Sequence, residues 1–332
     1  MKIQQKTLKG FFLIVVLLVS NQLLPSLSQA QAPGTWPSQP VKIVVPWATG
    51  GTVDMGARVL GQKIAEQTGQ SVVVENKPGA SSTIGFSQVL KSTPDGYVLI
   101  AFESSYAILP SLFKKLSWDH SEDLAVVGAS FQTPMVLVVP EKSPFKTVQE
   151  LIEFAKANPG KLNFGSGGVG SSPHLSGELL QKEANIKLTH VPYKGGGEAL
   201  SAVVAGNVDL LITATPTAIG HVQGGRVRAL AVTGTQRSVA FPEVLTLREA
   251  GLPNYVVMNW YGLGAPKNTP PQILNQIYLV TVRALSDPDI QSRFARQGVE
   301  PLNMNGSEFS NFIKAETIRW TAISQAAGLT PE

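Results

Sequence analysis

The residues able to do chemistry are few, and most of them lie in loops rich in glycine and hydroxyl groups. Residues 164–174 read Phe-Gly-Ser-Gly-Gly-Val-Gly-Ser-Ser-Pro-His. They place Gly165, Gly167 and Gly170 in the G-x-G-x-x-G spacing, between a predicted strand and a predicted helix, where a backbone can approach a pyrophosphate. A dinucleotide site also needs an acid about 20 residues later, at the end of the next strand. Tyr193-Lys194 stands there instead, so the loop is read as a glycine-rich anion loop of another kind and no cofactor is expected. Ser171, Ser172 and His174 could be imagined as a nucleophile with its base, but no Gly-x-Ser-x-Gly elbow occurs in the chain. Ser172 before Pro173 has the form of a helix N-cap with proline in the first turn, which makes His174 a first-turn structural residue. His120, His190 and His221 show no metal-ligand spacing, and no metal site is expected. Two acids remain. Asp54 falls in a first helical turn, where it complements the helix dipole; its sharper role would be to meet an amino group on a zwitterionic ligand or to turn away a second acid. Glu103, at the mouth of a strand, poses the same question. Lys194 is the one cation that this reading puts near the loops, and solvation in a turn is its ordinary role.

These groups need a frame, and residues 41–70 supply its pattern. Residues 41–46 form a short β-branched run, too short for a helix and ended by Gly50-Gly51. From Val53 the apolar residues Val53, Ala57, Leu60 and Ile64 share a helical face; Thr52 is the expected cap and Gly69 the stop. A strand, a glycine turn and a helix start leave unpaired N–H groups and a positive dipole end beyond the strand, which suits an anion. The turn itself, residues 47–52, carries no Lys or Arg.

Lys2, Lys6 and Lys9 precede an apolar run at residues 11–19, and Ala30-Gln31-Ala32 follows as a small-residue cleavage signal, so residues 1–32 are expected to be a secretory signal peptide. The run is far shorter than the roughly 20 residues of a spanning helix, and no later segment is long and apolar enough to span. The 27 basic residues less these three lysines leave 24 against 23 acidic ones. That balance removes the case for nucleic acid as a partner. The chain has no cysteine, which excludes a disulfide scaffold, a thiol nucleophile and a lipid on an N-terminal Cys; the exported protein should be free and soluble, without stable membrane insertion. About 300 remaining residues suggest two domains.

Strands and helices alternate along the chain. Strands are expected at residues 71–75 and 97–102 and a helix at 83–91, giving parallel strands with right-handed crossovers whose loops open on one sheet edge. Ligands in such folds sit beyond the carboxyl ends of the strands. Residues 126–140 contain two apolar runs joined through residues 131–134, read as the crossing into a second domain. That domain repeats the pattern, with helices at 148–157 and 175–183 and one ending at 205, and strands at 161–164, 187–192, 208–212 and 227–232. Residues 255–264 form a strand returning to the first domain. Helices follow at 270–286 and 288–297, and a last one on which Phe309, Phe312, Ile313, Trp320 and Ile323 share a face for docking onto a domain.

Taken together, Pro46-Trp-Ala-Thr-Gly-Gly-Thr-Val-Asp54 with Arg58, Glu75-Asn-Lys-Pro-Gly-Ala80, Pro94-Asp-Gly-Tyr97, Phe164-Gly-Ser-Gly167, His174-Leu-Ser-Gly-Glu178, His190-Val-Pro-Tyr-Lys-Gly195, Gly206-Asn-Val-Asp209, Arg228-Ala-Leu-Ala-Val-Thr-Gly234 and Trp260-Tyr-Gly-Leu263 resemble the Bug family. These are the extracytoplasmic substrate-binding proteins of tripartite tricarboxylate transporters. The resemblance runs from about Trp36 to the C-terminus, with the motifs in order. It implies an α/β periplasmic binding protein of the two-lobed Venus-flytrap kind (type II-like), each lobe a mainly parallel sheet flanked by helices. Residues 33–131 with 254–332 would form the first, discontinuous lobe and residues 132–253 the second. It further implies a periplasmic location, no catalysis, a small organic carboxylate held by main-chain N–H groups, hydroxyls and waters, and the membrane subunits of a tripartite transporter as partners.

Residue reading and resemblance together nominate Trp47, Thr49, Gly50, Gly51, Thr52 and Asp54 from the first loop as ligand contacts. Ser82, Glu103 and Ser104 are added from the next two loops. Ser166, Gly167, Gly168, Ser171 and Ser172 come from the glycine loop, Tyr193 from the turn after it, and Thr213 and Ala214 from the strand after Asp209. The family often has Pro-Phe-x-x-Gly-Gly where this chain has Pro46-Trp47-Ala-Thr-Gly-Gly51, and Met-Phe-Asp-like residues where it has Ile212-Thr-Ala-Thr-Pro216. Both places face the ligand in the family and bear on which carboxylate is bound. Two other roles stay open: a binding lobe for a sensor or signalling partner, and a secreted hydrolase using Ser171 or Ser172.

Overall fold

The computed structural model describes residues 36–331; the expected signal peptide and its cleavage site lie outside them. Strand β1 (Val41–Val45) is buried on both faces between its neighbours, as its run of β-branched residues requires. Helix α1 (Thr52–Thr68) buries Val53, Ala57, Leu60 and Ile64 and ends on Gly69, whose φ of 71° is the left-handed conformation that glycine adopts without a Cβ clash. Its N-cap is Gly51, which offers no side chain, so Thr52 is the first helical residue and not the expected cap.

The chain continues through β2 (Val72–Asn76), α2 (Thr83–Leu90), β3 (Val98–Glu103) and the long β4 (Leu124–Pro140). It goes on through α3 (Val148–Ala157), β5 (Asn163–Ser166), α4 (Ser172–Ala184), β6 (Thr189–Pro192), α5 (Gly196–Val204), β7 (Leu210–Ala214), α6 (Thr215–Gln223) and β8 (Val227–Val232). The chain closes with β9 (Met258–Pro266), α7 (Pro271–Leu285), α8 (Pro288–Arg296), β10 (Glu300–Pro301) and α9 (Gly306–Ala326). Local sequence accounts for several of the helix starts. Thr147 and Glu150 form a reciprocal capping box for α3, and Asn305 with Glu308 does the same for α9.

The sheet runs β2-β1-β3-β9-β4-β7-β5-β6, with β8 and β10 also paired to β4. The outer pairs are parallel, as alternation of strand and helix demands: β1 with β2 and β3, and β5 with β6 and β7. The centre is antiparallel, because β9 and β4 pair with each other and with the innermost parallel strands. The result is a mixed sheet, less parallel than expected. Residues 126–140, expected as two runs, belong to the single strand β4. Its first part pairs with β9 as far as Pro134 opposite Met258, and from Met135 onward it pairs with β7 and, one residue later, with β8. Pro134 has no N–H to give, and it sits where the strand exchanges partners, so the missing donor costs little.

Apolar residues cover both faces. A continuous cluster runs from Phe86, Phe102 and Trp260 through Phe309 and Trp320 to Leu137, Phe164 and Leu175, joining the two ends of the sheet. Phe309, Ile313, Trp320 and Ile323 of α9 are buried in it, so the shared apolar face docks onto the body as expected. Each such side chain stabilises the fold by about 1.5–3 kcal/mol. Inside the cluster the buried Glu316 accepts from the indole N–H groups of Trp260 (3.3 Å) and Trp320 (3.1 Å), and Arg319 Nη1 lies 3.2 Å from its other oxygen.

Candidate ligand-binding cleft

The carboxyl ends of β1, β5, β6 and β7 are each followed by the start of a helix. The four N-cap residues are Gly51 for α1, Ser171 for α4, Gly195 for α5 and Ala214 for α6. All four border one cavity of about 530 Å³, measured to its open mouth. The first-turn N–H groups of a helix have no acceptor in their own helix. Four positive dipole ends therefore converge on one space, whose lining contains no lysine, arginine or histidine.

Of the residues nominated from sequence, Trp47, Gly51, Thr52, Asp54 and Glu103 line this cavity, as do Gly167, Ser171, Ser172, Thr213 and Ala214. Thr49 and Gly50 are exposed beside it. Ser82, Ser104 and Ser166 lie buried behind the wall, and Ser82 Oγ has no hydrogen-bond partner among the described residues. Gly168 and Tyr193 support the glycine loop from outside the lining, the Tyr193 N–H donating to Ser166 O at 3.0 Å.

Three groups of lining residues escaped the sequence reading. Gly195 and Gly196 open α5. A Cβ on Gly195 would stand 3.3 Å from Ala48 Cβ, so glycine lets the two loops approach. Thr217 lies on α6, a helix not expected at all, although Pro216 in its first turn is a helix-start signal. Asn259 and Tyr261 come from β9 and point to the cavity, while Trp260 between them points into the core; the period of two in the strand carried that information.

Hydrogen bonds fix most of the lining. Asp54 is spent: Oδ2 accepts from the Gly50 N–H (3.1 Å), and Oδ1 accepts from Arg58 Nε (3.0 Å) and Asn76 Nδ2 (3.0 Å), with Arg58 Nη2 at 2.9 Å. Burial pushes this carboxyl up, but the Arg58, Gly50 and Asn76 bonds outweigh it and hold it below the usual carboxylate range. Asn76 Nδ2 also donates to Trp47 O at 3.0 Å, so the acid and the amide together brace the first loop. Ser171 Oγ donates to Gly168 O (2.7 Å) and accepts from the His174 N–H (3.4 Å), so Ser171, not Ser172, is the cap of α4. Ser172 Oγ instead donates to Glu103 Oε2 at 2.5 Å.

The glycine loop is held from behind by two stacked imidazoles, His174 and His190, 4.0 Å apart and leaning on Phe164. His174 Nδ1 accepts from the Gly170 N–H (3.2 Å), and Nε2 faces Glu178 at 3.6 Å. His190 Nε2 lies 2.6 Å from Ser166 Oγ. Burial, with His190 alongside, pushes His174 down to about 3, and burial pushes His190 down to about 4, so both rings are neutral. His174 is thus the structural residue expected, and neither Ser171 nor Ser172 hydrogen-bonds to an imidazole.

Two bonds cross the mouth. Thr52 Oγ1 and Thr217 Oγ1 are 3.0 Å apart, and Ser81 Oγ donates to Val169 O at 2.7 Å. Among the described residues there is no group of acids, histidines and cysteines able to hold a metal ion, and no helix is long and apolar enough to cross a membrane.

Comparison with known proteins agrees with this architecture. The model of the tripartite tricarboxylate transporter family receptor, TctC, matches residues 56–329. A protein encoded in the tcbD-tcbE intergenic region of Pseudomonas sp. (strain P51) is 36% identical over 303 residues, spanning 91% of this chain and 90% of that one. BugT of Bordetella pertussis is 34% identical over 296 residues, spanning 89% and 91%. Among solved structures, the periplasmic binding protein BugD superposes with a TM-score of 0.85 at 31% identity, covering 90% of this chain and all (100%) of that one. An R. palustris protein solved with adipate gives 0.86 at 31%, covering 90% and 100%. MatC from Rhodopseudomonas palustris with bound malate gives 0.82 at 30%, covering 87% and 99%. With a matching sheet, matching helices and a family model spanning most of its length, this chain belongs to the TctC, or Bug-type, family of tripartite tricarboxylate transporter receptors, whose solved members are periplasmic solute-binding proteins.

Proposed function

We propose that this protein is exported to the periplasm, captures a small organic carboxylate in the cavity where the four helix starts converge, and delivers it to the membrane subunits of a tripartite transporter. The observation that carries this reading is the convergence of Gly51, Ser171, Gly195 and Ala214 on one space with no cationic side chain. Such a site binds an anion through main-chain N–H groups and hydroxyls. A few charge-assisted hydrogen bonds at about 1.5–3 kcal/mol each suffice for micromolar affinity after the cost of ordering. Neighbours of the same fold were solved with adipate and malate, which supports a carboxylate as the class. In this reading residues 33–131 and 254–332 form one lobe and residues 132–253 the other, and the chain passes between them in β4 and just before β9.

Thermal-shift and calorimetric titrations with a panel of organic acids, sugars and cations test the proposal. At least one carboxylate should raise the melting temperature and bind at one site per chain. Organic acids that leave it unmoved, together with a sugar or a cation that raises it, would overturn the reading.

A further inference from the structure

The charge balance of the cavity is lopsided. Its lining contains two acids, and the first, Asp54, is neutralised by Arg58 and fully bonded. The second, Glu103, is only 5% exposed and has no cationic partner among the described residues. Its Oε2 accepts from Ser172 Oγ (2.5 Å) and lies 3.0 Å from Ser104 Oγ, whose one proton is shared between this oxygen and Asn259 Oδ1, while Oε1 has no hydrogen bond from any described residue. Ser104 is held in turn by Asn259 Oδ1, and Asn259 Nδ2 donates to Tyr261 OH at 2.8 Å. The carboxylate is thus clamped in one orientation, with one oxygen left over on the cavity side. Burial of Tyr261, with Glu103 next to it, raises that phenol well above its usual value, so it stays neutral and brings no balancing charge.

A clamped, buried carboxylate with one vacant oxygen is costly until a donor reaches it. A second carboxylate in its place meets like charge in a low-dielectric space. The opposite wall, built of helix starts, asks for an anion. We propose that Glu103 is the specificity-determining residue of this cleft. It selects a small zwitterion, an amino-carboxylate whose carboxylate rests on the helix starts and whose ammonium group faces Glu103 Oε1, and it rejects dicarboxylates. This inference rests on the carboxylate-capture reading above and narrows it.

Calorimetry on the purified protein with matched ligands tests it, using amino-monocarboxylates of two to six carbons, their des-amino and hydroxy analogues, and the dicarboxylates succinate, malate and adipate. At least one amino-carboxylate should bind at least tenfold tighter, about 1.4 kcal/mol, than its des-amino, hydroxy and dicarboxylate counterparts. Glu103→Gln should lose that tenfold preference and gain affinity for a dicarboxylate. Glu103→Asp keeps the charge and should keep the preference, which guards against a Gln variant that fails to fold; apo melting curves identify such a failure. Tightest binding of a dicarboxylate by the unaltered protein, a hydroxy acid that binds as well as the amino acid, or a Glu103→Gln variant with an unchanged ligand order would each overturn the role of Glu103 while leaving carboxylate capture intact. Failure of every carboxylate to bind would sink both.

Discussion

Hydroxyl groups around the cleft divide into those already spent and those still available, and only their partners distinguish them. Ser171 gives its proton to Gly168 O and accepts from the His174 N–H. Ser171→Ala should therefore lower the stability of the ligand-free protein by about 1 kcal/mol, the usual worth of a cap, with a smaller effect on affinity. Thr52 spends its hydroxyl on Thr217 across the mouth. Thr52→Val keeps the shape and removes that bond, so it should leave apo melting within about 0.5 kcal/mol of the original and weaken ligand binding by about 1 kcal/mol. Melting curves and titrations on both variants separate the two roles; equal shifts in both quantities for both residues would contradict the assignment.

At the scale of the element, the loop from β5 to α4 rests on the His174–His190 stack, and this gives stability a pH dependence of definite sign. Both imidazoles are pushed below 6.5 in the folded chain, to about 3 and about 4. The unfolded chain therefore takes up protons first. The contribution of the pair is complete above about pH 6.5, shrinks as the pH falls below that value, and is gone once the folded rings themselves protonate. Each ring should cost a few kcal/mol across this window. Urea unfolding at pH 7, 6, 5 and 4 measures it. Comparison with His190→Gln isolates the His190 contribution from Glu178 and the other carboxylates that titrate in the same range. A wild-type stability that tracks the variant in parallel over the whole range would remove the stack as the cause.

For the whole molecule, the exchange of partners by β4 at Pro134 and Met135 is the natural place for motion. The chain there leaves β9 for β7 and β8, and residues 257–260 lie alongside. The bonds Thr52–Thr217 and Ser81–Val169 tie the loops across the mouth. Hinge closure about these two crossings predicts that the radius of gyration falls when a saturating ligand is added. Small-angle scattering with and without ligand checks this, and an unchanged curve with binding confirmed by calorimetry would count against it. Trp320 and Glu316 of α9 pack with Trp260 at the base of the same crossing and would restrain such a closure.

The sequence by itself determined the alternation of strands and helices, the loops gathered on one edge, the apolar face of the last helix and the family, because each of these is written in short-range periodicity, glycine turns and ordered motifs. It also marked the turns at Gly51 and Ser171 as sites for an anion, since a strand followed by a helix start announces itself locally, whereas the turn after Asp209 was nominated through the family resemblance and the helix behind it was not expected. What it left undecided depends on partners remote along the chain. Asp54 is paired with Arg58 four residues on, but its second brace, Asn76, arrives from β2. Ser172 and Glu103 lie 69 positions apart, and they meet only because two sheet ends face each other. Residues 126–140 read only as two apolar runs joined through residues 131–134, and the exchange of neighbours by β4 is what lets one strand carry Pro134. Tertiary structure alone therefore decided which acid in the cleft is fully bonded and which has an oxygen to spare, because charge compensation and desolvation are set by what surrounds a side chain, not by what adjoins it in sequence.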